Sequence, residues 1–288
     1  MYYCITEAYL CTYNIIILMK LQILSGVLLL STFIFSCKKE TTHPASSAAT
    51  LAPLSIEFDN IVGGENLYLE NRNYVNASGE TFTIDYLQYF VSNIKLTNAE
   101  GAVYTVPQDS SYFLIKEHDA AFSKAHIYVP EGDYTQLTFT LGVDSVRNTL
   151  GIDQRLGILD PTNTANEGMY WGWNSGYIFF KMEGTSSAAP EDGNGLRKYR
   201  YHIGGFGGYN SPTINNVKTI TIDLKDRGIA KVRTTNNANI HLMVDVSQVF
   251  DGPTRISIAQ NATVMFADFS TIIADNYAKM FFHDHTEN

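Results

Sequence analysis

The folded part of this chain has no cysteine. All three, Cys4, Cys11 and Cys37, lie within the first 37 residues, so neither a disulfide framework nor a thiolate metal site is available beyond them. Charge is sparse too. Charged residues make up 17% of the chain, the net charge is −9, and no Lys/Arg cluster occurs, which argues against nucleic acid as a partner. A Gly-rich phosphate loop, Gly-x-Ser-x-Gly and His-Glu-x-x-His are all missing, as is any carboxylate pair of diagnostic spacing. These absences point to a protein that is not an enzyme. Nor does any period of 20–50 residues repeat, against a solenoid or propeller.

The long hydrophobic run is at the start. Met19-Lys20 precedes an apolar stretch from Leu21 to Phe35, followed by Ser36-Cys37-Lys38-Lys39. A basic n-region, an apolar h-region and a small residue before the cut describe a secretory signal over residues 1–36. Cysteine directly after that small residue resembles a bacterial lipobox, which implies cleavage before Cys37 and lipidation of its thiol. The expected location is the cell envelope, as an outer-membrane lipoprotein on the periplasmic or surface face. Residues 1–18 precede a complete signal, so translation is expected to start at Met19. An uncleaved span is the competing reading, and Lys20 inside it argues against that. Residues 37–53, rich in Ser, Thr and Ala, read as a polar tether.

Beyond the tether, 18 tyrosines and 16 phenylalanines sit among frequent Gly, Asn and Thr, a balance that favours strands and turns. Leu54–Phe58 alternates cleanly and reads as the first strand. Gly63-Gly64 turns the chain towards a short strand at Leu67–Leu69. From Phe82 to Leu96 the apolar residues hold even positions, broken at Gln88 and Ser92, which predicts a long strand or strand pair with an irregularity. Asn98–Gly101 is a hairpin turn. Tyr112–Ile115, Leu137–Leu141, Tyr199–Ile203, Thr219–Leu224 and Ile240–Val246 read as further strands. Between Asp144 and Asn166 the rhythm stops for longer than a hairpin needs, and loops of that length are usually functional or cover something. The expected fold is all-β, a two-sheet antiparallel β-sandwich with long loops, in a single domain over residues 54–288.

Both tryptophans lie in Met169–Gly184, separated only by Gly172. Residues two apart share a face of an extended segment, so Trp171 and Trp173 would stand side by side. After Gly176 both faces begin apolar, as in a strand covered on each side. Gly172 and Gly176 mark places where a backbone or ligand comes close. Among the histidines, His202 stands out, opposite in face to Tyr201 and followed by Gly204-Gly205. His283 and His285 share a face in strand spacing and suit either a metal site or a solvated tail. His118 and His241 have no such context, and His126 borders an apolar run.

These residues resemble the MbnP-like copper-binding domain family. The resemblance runs in order through Phe58-Asp59, Tyr89–Leu96, Leu141–Asp144 with Asn148, Leu159–Pro161, Gly168–Tyr177 with Glu183-Gly184, and Tyr201–Gly205. It implies copper bound by two histidines and a kynurenine, made from a tryptophan of the motif by a di-haem peroxidase-like partner enzyme. An intact indole N–H has no lone pair to give a metal, whereas kynurenine offers an aryl amine and a carbonyl. By resemblance, His202 takes one histidine position and Trp171, beside Trp173, is the residue oxidised. The other histidine position falls two residues from that tryptophan, at Met169 or Trp173, so His283 or His285 would have to complete the set. The alternative is a non-catalytic surface interaction module, binding protein or glycan through its aromatic side chains.

Overall fold

The protein is described from a computed structural model covering residues 49–172 and 176–288. The leader, Cys37, most of the tether and Trp173 lie outside the described residues. The first strands are β1 (Leu51–Val62), β2 (Glu65–Asn66), β3 (Tyr74–Val75), β4 (Thr81–Phe82), β5 (Tyr86–Asn98) and β6 (Val103–Thr105). They are followed by β7 (Tyr112–Lys116), β8 (Lys124–Pro130), β9 (Gly132–Leu141), β10 (Tyr170–Trp171), β11 (Gly176–Thr185) and β12 (Lys198–Gly204). The last are β13 (Lys218–Asp223), β14 (Ala230–Val232), β15 (Ala238–Asp245), β16 (Thr263–Val264) and β17 (Phe281–Glu287). Helix is confined to short pieces such as Ser145–Thr149 and Ser270–Tyr277. Among the described residues no helix is long and apolar enough to cross a membrane.

Two main sheets carry the fold. In the smaller, β17, β15 and β1 run side by side, with β8 on the far edge of β1 and β2 at its end. In the larger the order is β13-β9-β5-β11-β12-β16, with β6, β7, β10 and β14 attached. Their inner faces interdigitate. Phe58 of β1 meets Tyr89 of β5 and Phe139 of β9 edge-on, at 6.3 and 5.8 Å between ring centres, the arrangement aromatic quadrupoles favour. The all-β sandwich is therefore as expected. Within it β1–β15 and β12–β16 are parallel pairs, which local alternation does not reveal. The strand expected at Leu67–Leu69 is shorter and earlier, at β2. There Leu67 drops into the core and the chain turns at Glu70, φ 65°.

The irregularity near Gln88 and Ser92 is a bulge. Leu87, Tyr89 and Val91 point into the inner core, then Asn93 takes φ 52° and the register against β9 shifts. After the shift Ile94 and Leu96 face inwards instead, because one extra residue reverses the parity of a strand.

The larger sheet is also dry on its outer face. Phe90, Leu114, Val143, Leu159, Met169, Trp171, Tyr177, Ile178, Phe179 and Phe206 form a second apolar cluster there. Residues 144–169 fold over it as a short helix and three 3-10 turns. Their backbone is tied down by buried polar side chains. Asn148 donates to the carbonyls of Val143 and Asp144 and accepts from the Tyr177 amide. The Arg155 guanidinium donates to the carbonyls of Asn148 and Leu150 while lying over the rings of Tyr170 and Tyr177. Asn166 donates to the Ile158 carbonyl and accepts from the Met169 amide.

One ion pair fastens the end of this cover. Lys116, 2% exposed, reaches Glu167 at 2.7 Å, and the Tyr86 hydroxyl donates to the same carboxylate at 2.5 Å. Burial alone would raise the Glu167 pKa, but the bonds from Lys116 and Tyr86, with the Lys116 charge, outweigh it and hold the group at about 2. A carboxyl depressed in the folded state adds stability above its ordinary value and loses it as pH falls towards the folded value. Glu167→Gln is expected to destabilise the protein at pH 7 by on the order of 2 kcal/mol, because Lys116 keeps its charge without a matching partner. In urea titrations the parent should lose more stability than the variant between pH 5 and pH 2. A variant as stable as the parent at pH 7 would remove this pair from the account of the cover.

Candidate functional site

Strand β12 sorts its side chains between the two clusters. Tyr199, Tyr201 and Ile203 enter the inner core, while Arg200 and His202 lie on the outer face. His202 stands opposite Lys181 of β11. Its Nε2 lies 2.7 Å from Glu183 Oε1, and Lys181 Nζ is 3.8 Å from the same oxygen. The hydrogen bond with His202 holds the Glu183 carboxyl below its ordinary value, against burial that works the other way. In the neutral ring an Nε2–H donating to Glu183 leaves Nδ1 with the lone pair. A carboxylate behind one imidazole nitrogen is the usual support of a metal-binding histidine.

Trp171 reaches the same face from β10, which pairs with Tyr177 and Gly176 of β11. It is 7% exposed, and its six-membered ring rests on Gly204. A Cβ at Gly204 would stand 2.7 Å from Trp171 Cζ3 and 2.4 Å from the Tyr177 carbonyl oxygen, closer than any side chain allows, so only glycine fits. Gly176 is tight as well, against Phe206 at 3.3 Å, whereas a Cβ at Gly172 would meet nothing within 4 Å. His202 precedes Gly204 by two residues, so their Cα atoms are about 7 Å apart along the strand. The structure thus brings Trp171 and His202 to one face of β12 as same-face neighbours.

Beside Trp171 is a cavity of ≈ 130 Å³, walled by Gly205, Phe206, Tyr209, Thr213 and Phe266 among others. It admits a few waters or a small group, well short of the roughly 300–1,000 Å³ typical of drug-sized ligand sites. No second histidine stands with His202 among the described residues. Met169, at one of the two positions where the resemblance expects one, is fully buried in the outer apolar cluster.

His283 and His285 are elsewhere. Both belong to β17, in the other sheet, and they do not share a face as simple alternation predicts. His283 pairs with Leu242 and His285 with His241, a register shift that leaves Asp284 as an extra residue. His283 turns inwards, 7% exposed, with Nε2 on the Thr286 hydroxyl at 2.9 Å, and burial lowers its pKa. His285 turns outwards beside Asp284 and His241. The hydrogen bond to Asp284 lifts its imidazole above the ordinary value and holds the Asp284 carboxyl below its own. Residue-by-residue reading missed His241 and Glu183. Glu183 was legible only as a motif residue, and His241 only once β15 and β17 are known to pair.

Comparisons with known proteins follow the same outline. The MbnP family model matches residues 52–266. No curated protein matches the chain in sequence. Among solved structures, MbnP from Methylosinus trichosporium superposes with a TM-score of 0.51 at 14% identity, covering 76% of this chain and 82% of that one. At that identity the structural likeness speaks for the fold alone. The family match spans both sheets and the covered outer face with Trp171 and His202, and the chain belongs to the MbnP family.

Proposed function

We propose that this protein is a non-catalytic copper-binding lipoprotein of the cell envelope, tethered through lipid on Cys37. His202 serves as a copper ligand, and Trp171 is the residue converted to kynurenine by a di-haem peroxidase-like partner. Family membership supports the class of function. The observation that carries the residue assignment is the Glu183–His202 hydrogen bond on the face of β12 against which Trp171 rests.

The residues present fit the group in part. Glu183 fixes the ring of His202 and frees Nδ1 for a metal. Trp171 is held rigidly by Gly204 and Phe266 at the wall of a small cavity, which gives its ring limited access. His202 is hydrogen-bonded to Glu183, and the His118 imidazole farther along the sheet is stacked on Tyr86 and turned to Glu167. Kynurenine, once formed, supplies an amine and a carbonyl where the indole offers neither. The other contributions belong to this chain, which orients the imidazole, holds the aromatic ring and keeps the surroundings apolar.

A second reading rests on a different observation. Val146, Ile152 and Leu156, in the segment covering the outer face, are 60%, 58% and 75% exposed. Exposed apolar side chains of this kind suit a surface interaction module that keeps the fold without the metal.

Peptide mass spectrometry and metal analysis on protein from its native envelope separate the two. Conversion to kynurenine replaces one carbon by one oxygen, a gain of about four mass units, on a cofactor-like group positioned by the protein. The expected result is that gain at Trp171 with copper close to one per chain. His202→Ala should abolish the copper, and Glu183→Gln should weaken it about tenfold with the fold intact. Unmodified tryptophan and no copper would sink the metal reading and leave the interaction module.

A further inference from the structure

On the outer face of the smaller sheet, three side chains converge that local sequence keeps apart. His241 Nδ1 lies 3.3 Å and His285 Nδ1 2.8 Å from the same atom, Asp284 Oδ2. The two rings are 4.8 Å apart, and one ligand atom from each of the three residues lies within 4.8 Å of the others. Each ring also has a carboxylate at its other nitrogen. Asp59 Oδ2 is 3.6 Å from His241 Nε2, and Glu287 Oε1 is 3.6 Å from His285 Nε2.

We propose that His241, Asp284 and His285 form a binding site for a late first-row divalent cation, Zn²⁺ or Cu²⁺, separate from the face bearing Trp171 and His202. Two imidazoles and one carboxylate suit these ions and not Mg²⁺ or Ca²⁺, which take oxygen ligands. Ligand atoms about 2.0–2.2 Å from a tetrahedral zinc stand about 3.3 Å from one another, close to the two nitrogen–oxygen separations here. With both Nδ1 atoms on the metal, both Nε2–H groups face carboxylates, Asp59 and Glu287. At 3.6 Å they stand just beyond hydrogen-bond range, where a small ring rotation on metal binding closes the bond that supports a ligating histidine. Three protein ligands leave a fourth position for water or another donor.

The backbone is arranged for this convergence. Without an irregularity, Asp284 and His285 would point to opposite faces of β17. The register shift between His241 and Leu242 leaves Asp284 as an extra residue, and it joins His285 on the outer face, bonded to the same imidazole pair. Bulges commonly re-aim a side chain in this way. Arg227 approaches the other oxygen, Oδ1, at 3.6 Å from a largely exposed side chain, and leaves Oδ2 to the imidazoles. Asp284 and His285 also lie beyond residues 52–266, the stretch matched by the family model, whereas His241 lies within it.

The test is equilibrium titration of the full chain with Zn²⁺ alone and with Cu²⁺ alone, read by calorimetry and by the imidazole resonances in NMR. A His202→Ala background keeps this site distinct from the other. One ion per chain should bind in that background, shifting His241 and His285 but not His126. His285→Ala and Asp284→Asn should each weaken binding by more than about tenfold, and Asp59→Asn by about tenfold, the usual effect of losing a carboxylate behind a ligand. His285 is half exposed, so its replacement spares the core, and unchanged circular dichroism and Tm verify that. His285→Ala binding as tightly as the background, or an ion that shifts His126 equally, would overturn the proposal.

Discussion

The constraint behind this structure is that the first half of β11 has no wet face. Residues 176–180 are all buried, with Phe180 and Met182 in the inner core and Tyr177, Ile178 and Phe179 in the outer cluster. An open sandwich covers only one face of each sheet, so the second face of this strand needs its own roof. The chain supplies it from residues 144–169, and irregular backbone laid over an apolar surface brings polar groups that water can no longer satisfy. Asn148, Asn166 and Arg155 answer that need with side-chain bonds to backbone. The glycines follow from the same closeness. Gly142 takes φ 114° where a Cβ would press into Phe179 at 2.9 Å, and Gly204 yields its side-chain space to Trp171.

That roof decides what chemistry the outer face can hold. Trp171 enters the apolar cluster, Gly204 keeps its ring in place, and His202 with Glu183 forms the polar border. Met169 sits under the roof among Leu159, Phe179 and their neighbours, with its amide on Asn166 and its carbonyl accepting from Ile178. An imidazole at that position would be buried without a polar partner and would cost on the order of 1–3 kcal/mol unless a metal took its lone pair. Methionine there favours packing.

The parts of the fold that follow from local periodicity were legible in the sequence. Strand β12 alternates as its residues predict, β11 is apolar on both sides, and the broken parity near Ser92 is the bulge at Asn93. The long interruption after Val143, expected to be functional or to cover something, lies over the outer cluster, into which it sends Leu159 and Met169. Local pattern is silent wherever a partner lies far along the chain. The parallel pairing of β1 with β15, the approach of Lys116 to Glu167, and the meeting of His241 with His285 all depend on which segments the core brings together. Alternation even misleads at Asp284. A period of two is a property of an unbulged strand, and the extra residue there reverses it for everything that follows.

The two polar clusters have different dependence on the rest of the molecule. His202 and Glu183 stand at the edge of a buried aromatic cluster, so the roof, its buried asparagines and the Lys116–Glu167 pair all bear on their geometry. His241, Asp284 and His285 stand on the outside of the smaller sheet, held by the β15–β17 ladder and flanked by Asp59 and Arg227. The whole inner core lies between the two clusters, across sheets packed about 10 Å apart. His285 lies on the outer face of the smaller sheet and His283 turns into the inner core, so neither stands beside His202. Loosening the roof should disturb the first cluster and leave the second intact, because β15 and β17 gain their order from Leu242, Val244 and Phe281 in the inner core and not from the cover.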